Sequence, residues 1–447
     1  MIGRDKSFEV MEHVLKQTGA DQAEVRLQGE NFNMSRFARN TIHQNLTKNN
    51  ATLTLKVVFG KKIGTATVNR LDSEGIKQLV ETAEMLAKLQ EDNRDFVSLP
   101  EPTDHQDMTN YYAATATCTP EERAKTIEAV INAADKVDYL AYGSFFTETS
   151  ELAVLSSLGT RAYNQSTSSY LRTVIGNDRD PGTGYADSLS RNVADIDAAA
   201  VGEEAVKRAL LSQGGRDITT GEYEVVFTPY AVSDLIRFLG YLGFNGGAVQ
   251  DGRSFMSSKM GQQITGSNIS IWDDAYNPHT LNMPFDMEGV AKQKISLIED
   301  GIARGAVYDS FAAHKDGNKS TGHAMPRYVG GLPANMVMAA GSSSLDEMIK
   351  NTKKGIYITR FHYTHCPEPM EVIMTGTTRD GTYYIENGEI KHPIKNLRMT
   401  DSVLRVLSHA SLISADRKLQ RDWWSTFNSL LPAIKVEKCK FTGATTF

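Results

Sequence analysis

Residues 228–274 read TPYAVSDLIRFLGYLGFNGGAVQDGRSFMSSKMGQQITGSNISIWDD. The segment opens as a capped helix. Thr228 can accept a hydrogen bond from a free amide of the first turn, and Pro229 stands where no N–H is needed. Val232, Leu235, Ile236 and Leu239 recur at helical spacing as one apolar stripe. Gly243-Phe244-Asn245-Gly246-Gly247 then interrupts the pattern. No Gly-Lys-Ser/Thr follows, and the turn comes after a helix rather than a strand, which argues against a phosphate loop. The glycines are expected to supply positive φ where the chain reverses. A strand follows and ends in Asp273 and Asp274, a pair that could hold a cation but is expected to form a turn.

Before this segment the chain reads as α+β. A helix near Ser7 to Thr18 places Val10, Met11, Val14 and Leu15 on one face, and Gly19 is expected to cap it in the left-handed conformation. ATLTLKVVFGKKIGTATV alternates on both sides of Gly-Lys-Lys, a hairpin. Asp72 or Ser73 then caps a helix carrying Ile76, Leu79, Val80, Ala83, Leu86 and Ala87. Residues 91–117 lack periodicity and read as a loop. Thr119-Pro120-Glu121-Glu122 is a capping box with Pro at the first helical position. Strands from Tyr139 to Leu189 and an Ala-rich helix from about Asp195 to Leu211 complete residues 1–213, a mixed α/β domain in which hairpin-then-helix appears twice.

Residues 214–447 read as a strand-rich domain. Glu386-Asn387-Gly388-Glu389 is its strongest hairpin signal, because Asn-Gly suits a type I′ turn. Glu299-Asp300 reads as another turn. Short helices are expected after Ser344, with Glu347 completing a capping box, and after Thr400-Asp401 with Val403, Leu404, Val406 and Leu407.

Composition excludes several function classes. Of the 447 residues, 40% are apolar and 23% charged, ordinary values for a folded protein of more than one domain. Cys118, Cys366 and Cys439 are too few and too scattered for a disulfide framework, so a reducing, cytoplasmic location is expected. No apolar run approaches a membrane span. A net charge of −6 with scattered Lys and Arg gives no basis for direct nucleic-acid binding.

The capped helix, glycine turn and GRSF turn, with similarity running over nearly the whole chain, resemble the TldD/PmbA family. In the family's catalytic TldD-type members this helix carries His-Glu-x-x-x-His, two imidazoles for zinc and a carboxylate that activates water. Counted back without gaps from GRSF, those positions fall here on Arg237, Phe238 and Leu242. None of the ten histidines is followed by Glu. The resemblance also places a Cys ligand in a turn before the last strand, where this chain reads KLQRDWWSTFNSLLPAIKVEK, without Cys; Cys439 falls inside the strand pattern. The chain therefore resembles the PmbA, or TldE, side of the family, and the resemblance implies a curved or barrel-like C-terminal sheet.

What the resemblance implies for function is a non-catalytic subunit of a TldD/TldE-type zinc peptidase acting on unfolded peptides, with no cofactor in this chain and zinc only in a TldD-type partner. The assembly would be a heterodimer with that paralogue or a homodimer. Peptide would add to an exposed strand edge. The alternative is a stand-alone peptide-binding or regulatory protein, as in the family's historical label of gyrase modulator. Ser320-Thr321-Gly322-His323-Ala324 corresponds to a family motif bordering the substrate groove. Asn245, Arg253, Asp273, Asp274, Glu288, Thr321 and His323 are accordingly the candidate groove residues. His362-Tyr363-Thr364-His365-Cys366 is the one soft-metal candidate. Strand alternation would put His362 and His365 on opposite faces and leave His362 and Cys366 about 13 Å apart, too far to share one ion. No Ser/His/Asp spacing identifies a nucleophilic triad.

Overall fold

The computed structural model describes residues 1–281, 283–326, 328–421 and 427–445. Helix α1 (Arg4–Gln17) precedes strands β1 (Gln22–Ala38), β2 (Thr41–Phe59) and β3 (Lys62–Val68) and helix α2 (Ser73–Leu89). After the irregular connection and a short α3 (Ala113–Ala116), the order recurs as α4 (Pro120–Asp135), β4 (Leu140–Ser156), β5 (Arg161–Gly176), β6 (Thr183–Ser190) and α5 (Ala198–Leu211). The six strands form one antiparallel sheet, ordered β3-β2-β1-β4-β5-β6, so the two repeats meet at the β1–β4 seam. The helices cover one face. Each repeat seats its last helix against a glycine: a Cβ at Gly64 would lie 2.1 Å from the Ala83 carbonyl oxygen, and one at Gly184 would lie 2.1 Å from that of Ala205. Only glycine lets strand and helix backbones approach so closely.

The second sheet contains β7 (Gly221–Phe227), followed by α6 (Pro229–Leu242) and α7 (Gly246–Gln250). Then come β8 (Ile271–Asp273), β9 (Ile295–Glu299), β10 (Ile302–Ala303), α8 (Ser310–Lys315), β11 (Asn335–Met338) and α9 (Leu345–Lys350). The chain ends through β12 (Lys354–Glu368), β13 (Ile373–Glu386), β14 (Glu389–Pro393), β15 (Leu397–Ser402), α10 (Val403–Ser408), β16 (Ala410–Arg421) and β17 (Asn428–Ala444). The order β17-β15-β13-β12-β7 closes on itself through a β17–β7 pairing, which makes this part of the sheet a barrel. The overall class is α+β with a barrel-like C-terminal sheet.

Local signals set several elements. Asp72 accepts the Gly75 amide, and Thr119 and Ser344 form complete capping boxes with Glu122 and Glu347. Asn387 and Gly388 both have positive φ, 52° and 79°, as a type I′ turn requires. The helix expected after Thr400-Asp401 is α10, capped by Ser402. Three expectations need correction. Gly19 does not have positive φ; its amide and the Thr18 hydroxyl bind Glu84, which anchors the end of α1 onto α2. Thr228 caps nothing, because its hydroxyl donates to the Thr359 carbonyl of the neighbouring strand β12 at 2.5 Å. Gly243, Gly246 and Gly247 lack positive φ; they are small because Phe255, Tyr308 and Gly330 press against them.

Candidate functional site

Helix α6 lies in the C-terminal core, with Val232, Leu235, Ile236 and Leu239 fully buried against β12 and β17. The three positions at which the resemblance places metal ligands and a base carry other chemistry. Arg237 donates to Thr364 Oγ1 at 2.6 Å, lies 3.7 Å from Asp234 and stacks over the Phe238 ring at 4.6 Å. Phe238 is buried and Leu242 is half-buried in the same core. A guanidinium offers no lone pair, and a phenyl and an isobutyl group offer none either, so these residues do not fit zinc.

Beside α6 a cleft of about 520 Å³ is lined by Arg237, Arg360, Asp187, His362 and His365. The strand alternation expected across His362–Cys366 fails here. Tyr363 takes φ 56° and is 80% exposed, and the register slips so that His362 faces Thr377 while His365 faces Thr375. This bulge puts both histidines on one face, and Cys366 packs partly buried against the core. Burial, with Arg379 and Arg360 nearby, pushes His362 below the usual imidazole range, and burial pushes the Cys366 thiol up. Among the described residues no three His, Cys, Asp or Glu side chains converge to hold a metal ion.

The remaining candidates do not line this cleft. Asn245 caps α7 through the Ala248 amide and donates to the Gly331 carbonyl at 2.6 Å. Arg253 is exposed and paired with Asp251 at 2.8 Å. Asp274 is the turn former, accepting from the Tyr276 amide, with Lys294 3.7 Å away. Asp273 is not a turn former. It is fully buried, accepts from the Asn335 amide at 2.7 Å and faces His323 Nε2 at 3.0 Å. Thr321 Oγ1 sits 2.9 Å from His323 Nδ1. These three groups resemble a hydroxyl–imidazole–carboxylate relay, but His323 is 0% exposed, so the relay cannot reach a substrate. Burial alone would raise Asp273, but His323, Lys292 and the Asn335 amide hold it below the usual carboxylate range. Burial, reinforced by Lys292, lowers His323.

A second buried charge cluster joins the two units. Glu288 lies 3.5 Å from Lys56, which lies 3.6 Å from Glu24. Glu288 also accepts from the Ser310 amide. Nearby, burial and then Glu288 push Asp286 up to about 7, although the Ala324, Glu288 and Val290 amides bind its carboxyl. A raised folded-state value means that folding retains a proton the unfolded chain releases near pH 4, so stability should fall as pH rises from about 4 through about 7. Asp286→Asn should flatten that slope. Urea melts across this pH range would measure it, and an unchanged slope would remove Asp286 as its source.

Sequence spacing did not bring Asp273 and His323 together, since 50 residues separate them. It also missed Lys56 and Glu24, whose only signal was a charge inside a strand. Asp422, Trp423, Trp424, Ser425 and Thr426, within the segment where the resemblance places a Cys, lie outside the described residues. No helix among the described residues is long and apolar enough to cross a membrane.

Comparison with known proteins fits this architecture. The chain matches the PmbA/TldA metallopeptidase domain 1 over residues 23–87, the central domain over 114–213 and the C-terminal domain over 220–443. An uncharacterized protein of Methanocaldococcus jannaschii is 28% identical over 272 residues, 60% of this chain and 63% of that protein. The metalloprotease PmbA homolog of Haemophilus influenzae is 24% identical over 405 residues, 87% of this chain and 86% of the relative. The crystal structure of TldE from Thermococcus kodakarensis superposes with a TM-score of 0.90 at 23% identity, covering 97% of this chain and all of that one, a likeness of fold. With three successive domain matches covering most of its length, the chain belongs to the PmbA/TldD metallopeptidase family.

Proposed function

We propose that this chain is a metal-free, TldE-like subunit that works with a zinc-bearing TldD-type paralogue in the hydrolysis of unfolded peptides. The observation that carries the reading is α6, where Arg237, Phe238 and Leu242 stand at the positions that the resemblance gives to two ligands and a base. Water attack on an amide needs a metal or a poised carboxylate to generate the nucleophile, and this helix supplies neither. Arg237 would repel a divalent cation. The rest of α6 keeps its core packing, so the helix can shape a subunit interface or chamber wall without taking part in chemistry.

The test is hydrolysis of a casein-like unfolded substrate by this chain, by a TldD-type paralogue and by the mixture, each with and without a zinc chelator. This chain alone should give no chelator-sensitive cleavage, metal analysis should find no stoichiometric zinc on α6, and the mixture should exceed the paralogue alone. Cleavage by this chain alone, or one tightly held zinc on α6, would overturn the reading. Equal activity with and without this chain would leave the stand-alone binding or regulatory role.

A further inference from the structure

Strand β2 overhangs its outer neighbour. On one side it pairs with β1 along its length, whereas on the other β3 pairs only with Leu53 to Phe59. Among the described residues no strand or isolated bridge takes the outer edge of residues 44–52. Every residue from Gln44 to Asn50 is exposed. The far edge of the same sheet, β6, lies against β13 and β16 of the C-terminal unit. The overhang on β2 thus directs the N–H and C=O groups of alternate residues outward, available to another strand.

The shape and chemistry of this step match a second copy of itself. A bulge at His43, between the Arg36–Gln44 and Phe37–Ile42 pairs, ends the regular strand on one side, and β3 closes it on the other at Leu53. Lys48 is the one ionised side chain between them. A lysine on an edge commonly keeps other strands away, but this ammonium is bound to Glu30 on β1 at 2.6 Å. Gln44-Asn45-Leu46-Thr47-Lys48-Asn49-Asn50 is close to palindromic in chemistry, with two amides, an aliphatic stem, Thr, an aliphatic stem and two amides. A two-fold axis perpendicular to the sheet at Thr47 sets Gln44 opposite Asn50, Asn45 opposite Asn49, Leu46 opposite the Lys48 stem and Thr47 opposite itself. No like charges then face each other. Neighbouring registers fit less well. An axis at Leu46 brings the His43 bulge into the pairing, and an axis at Lys48 opposes two ammonium groups and drives Ile42 against the end of β3.

We propose that two copies of this chain associate edge to edge through residues 44–50, antiparallel about an axis at Thr47, so that their first sheets continue into one another. The axis fills both overhangs at once, so the pairing closes at two copies. The paired segment is short, which places it among weak, concentration-dependent interfaces, with a Kd of about 100 µM or below. The joint uses the first sheet, whereas α6 packs against the barrel strands, so it goes beyond the subunit role proposed above and does not depend on it.

The experiment is sedimentation of the full chain, without paralogue or zinc, from about 1 to about 300 µM. The particle mass should rise toward twice its starting value. Thr47→Lys and Thr47→Glu each put like charges across the axis and should weaken this association about tenfold or more. Thr47 is exposed, with its hydroxyl on Asn33 Oδ1 at 2.9 Å, so both variants should fold, which circular dichroism checks. An equimolar mixture of the two variants should associate again, because Lys then faces Glu. A mass that stays constant over the whole range, association unchanged in both folded variants, or a mixture no tighter than either variant alone would each overturn the proposal. The hydrolysis assay with a paralogue reads a different contact, so either experiment can fail while the other succeeds.

Discussion

His323→Ala is expected to lower the stability of the chain by about 3–5 kcal/mol, the usual cost of removing one partner from a buried ionic or charge-assisted pair. His323 and Asp273 are both fully buried, and the ring bridges the carboxylate to Thr321. Because the carboxylate only accepts, Nε2 carries the proton toward Asp273, and the Thr321 hydroxyl, within reach of both the Tyr308 carbonyl and Nδ1, is shared between these two neighbours. Without the ring, Asp273 keeps only the Asn335 amide as a hydrogen-bond donor, with Lys292 as a nearby charge, while Thr321 keeps the Tyr308 carbonyl as its acceptor. Urea unfolding of His323→Ala, Asp273→Ala and the double variant would measure the pair, and the double variant should lose less than the two single losses added. The pH dependence has a definite sign. Burial lowers His323, so the folded chain refuses a proton that the unfolded chain accepts near pH 6.5, and wild-type stability from this group is lost as pH falls below about 6.5. The variant should lack that component. A loss under about 1 kcal/mol, the scale of one ordinary hydrogen bond, would mean that the relay does not hold these loops together.

The parts of the fold that were legible in the sequence are those decided within a few residues. Asn387-Gly388 forms its turn because no other pair takes two positive φ values so readily, and Asp300-Gly301 does the same between β9 and β10. Thr119 and Ser344 cap because a hydroxyl and a Glu three residues later satisfy each other locally. The failures lie where distant chain decides. Gly243, Gly246 and Gly247 answer to Phe255, Tyr308 and Gly330 rather than to their own φ. Thr228 gives up its cap to Thr359, on the neighbouring strand but 131 residues along the chain. The parity of His362 to Cys366 is broken by a bulge that depends on pairing with β13. For the site, that Arg237, Phe238 and Leu242 offer no ligand atoms is a matter of residue identity within one helix and reads directly from the sequence. The Asp273–His323 pair was not legible, since its members lie 50 residues apart and meet only in the fold.

Lys56→Ala is expected to destabilise the chain by a similar amount, about 3–5 kcal/mol, and to loosen the coupling between its two sheets. Lys56 on β2 is the cation between Glu24 on β1, 3% exposed, and Glu288 of the C-terminal unit, 12% exposed. Glu24 Oε2 already lacks a hydrogen-bond partner, and burial raises the Glu24 carboxyl above its usual range even with Lys56 in place. Removing the ammonium, whose side chain is 26% exposed, leaves the two carboxylates with Arg26 as the remaining nearby cation, and the weaker compensation favours proton uptake by Glu24. That uptake becomes harder as pH rises. The gap between wild type and variant should therefore narrow as pH falls toward about 4, where Glu24 takes up its proton in the folded and the unfolded chain alike. Since Glu288 is the only member of this triad from the C-terminal unit, calorimetry of Lys56→Ala should show a broadened or split transition as the first sheet unfolds ahead of the barrel. Adding Glu24→Gln should recover part of the loss by removing the more deeply buried of the two charges. A single sharp transition within about 1 kcal/mol of wild type would show instead that the apolar contacts around Phe285 and Leu281 hold the two sheets together without help from the buried charges.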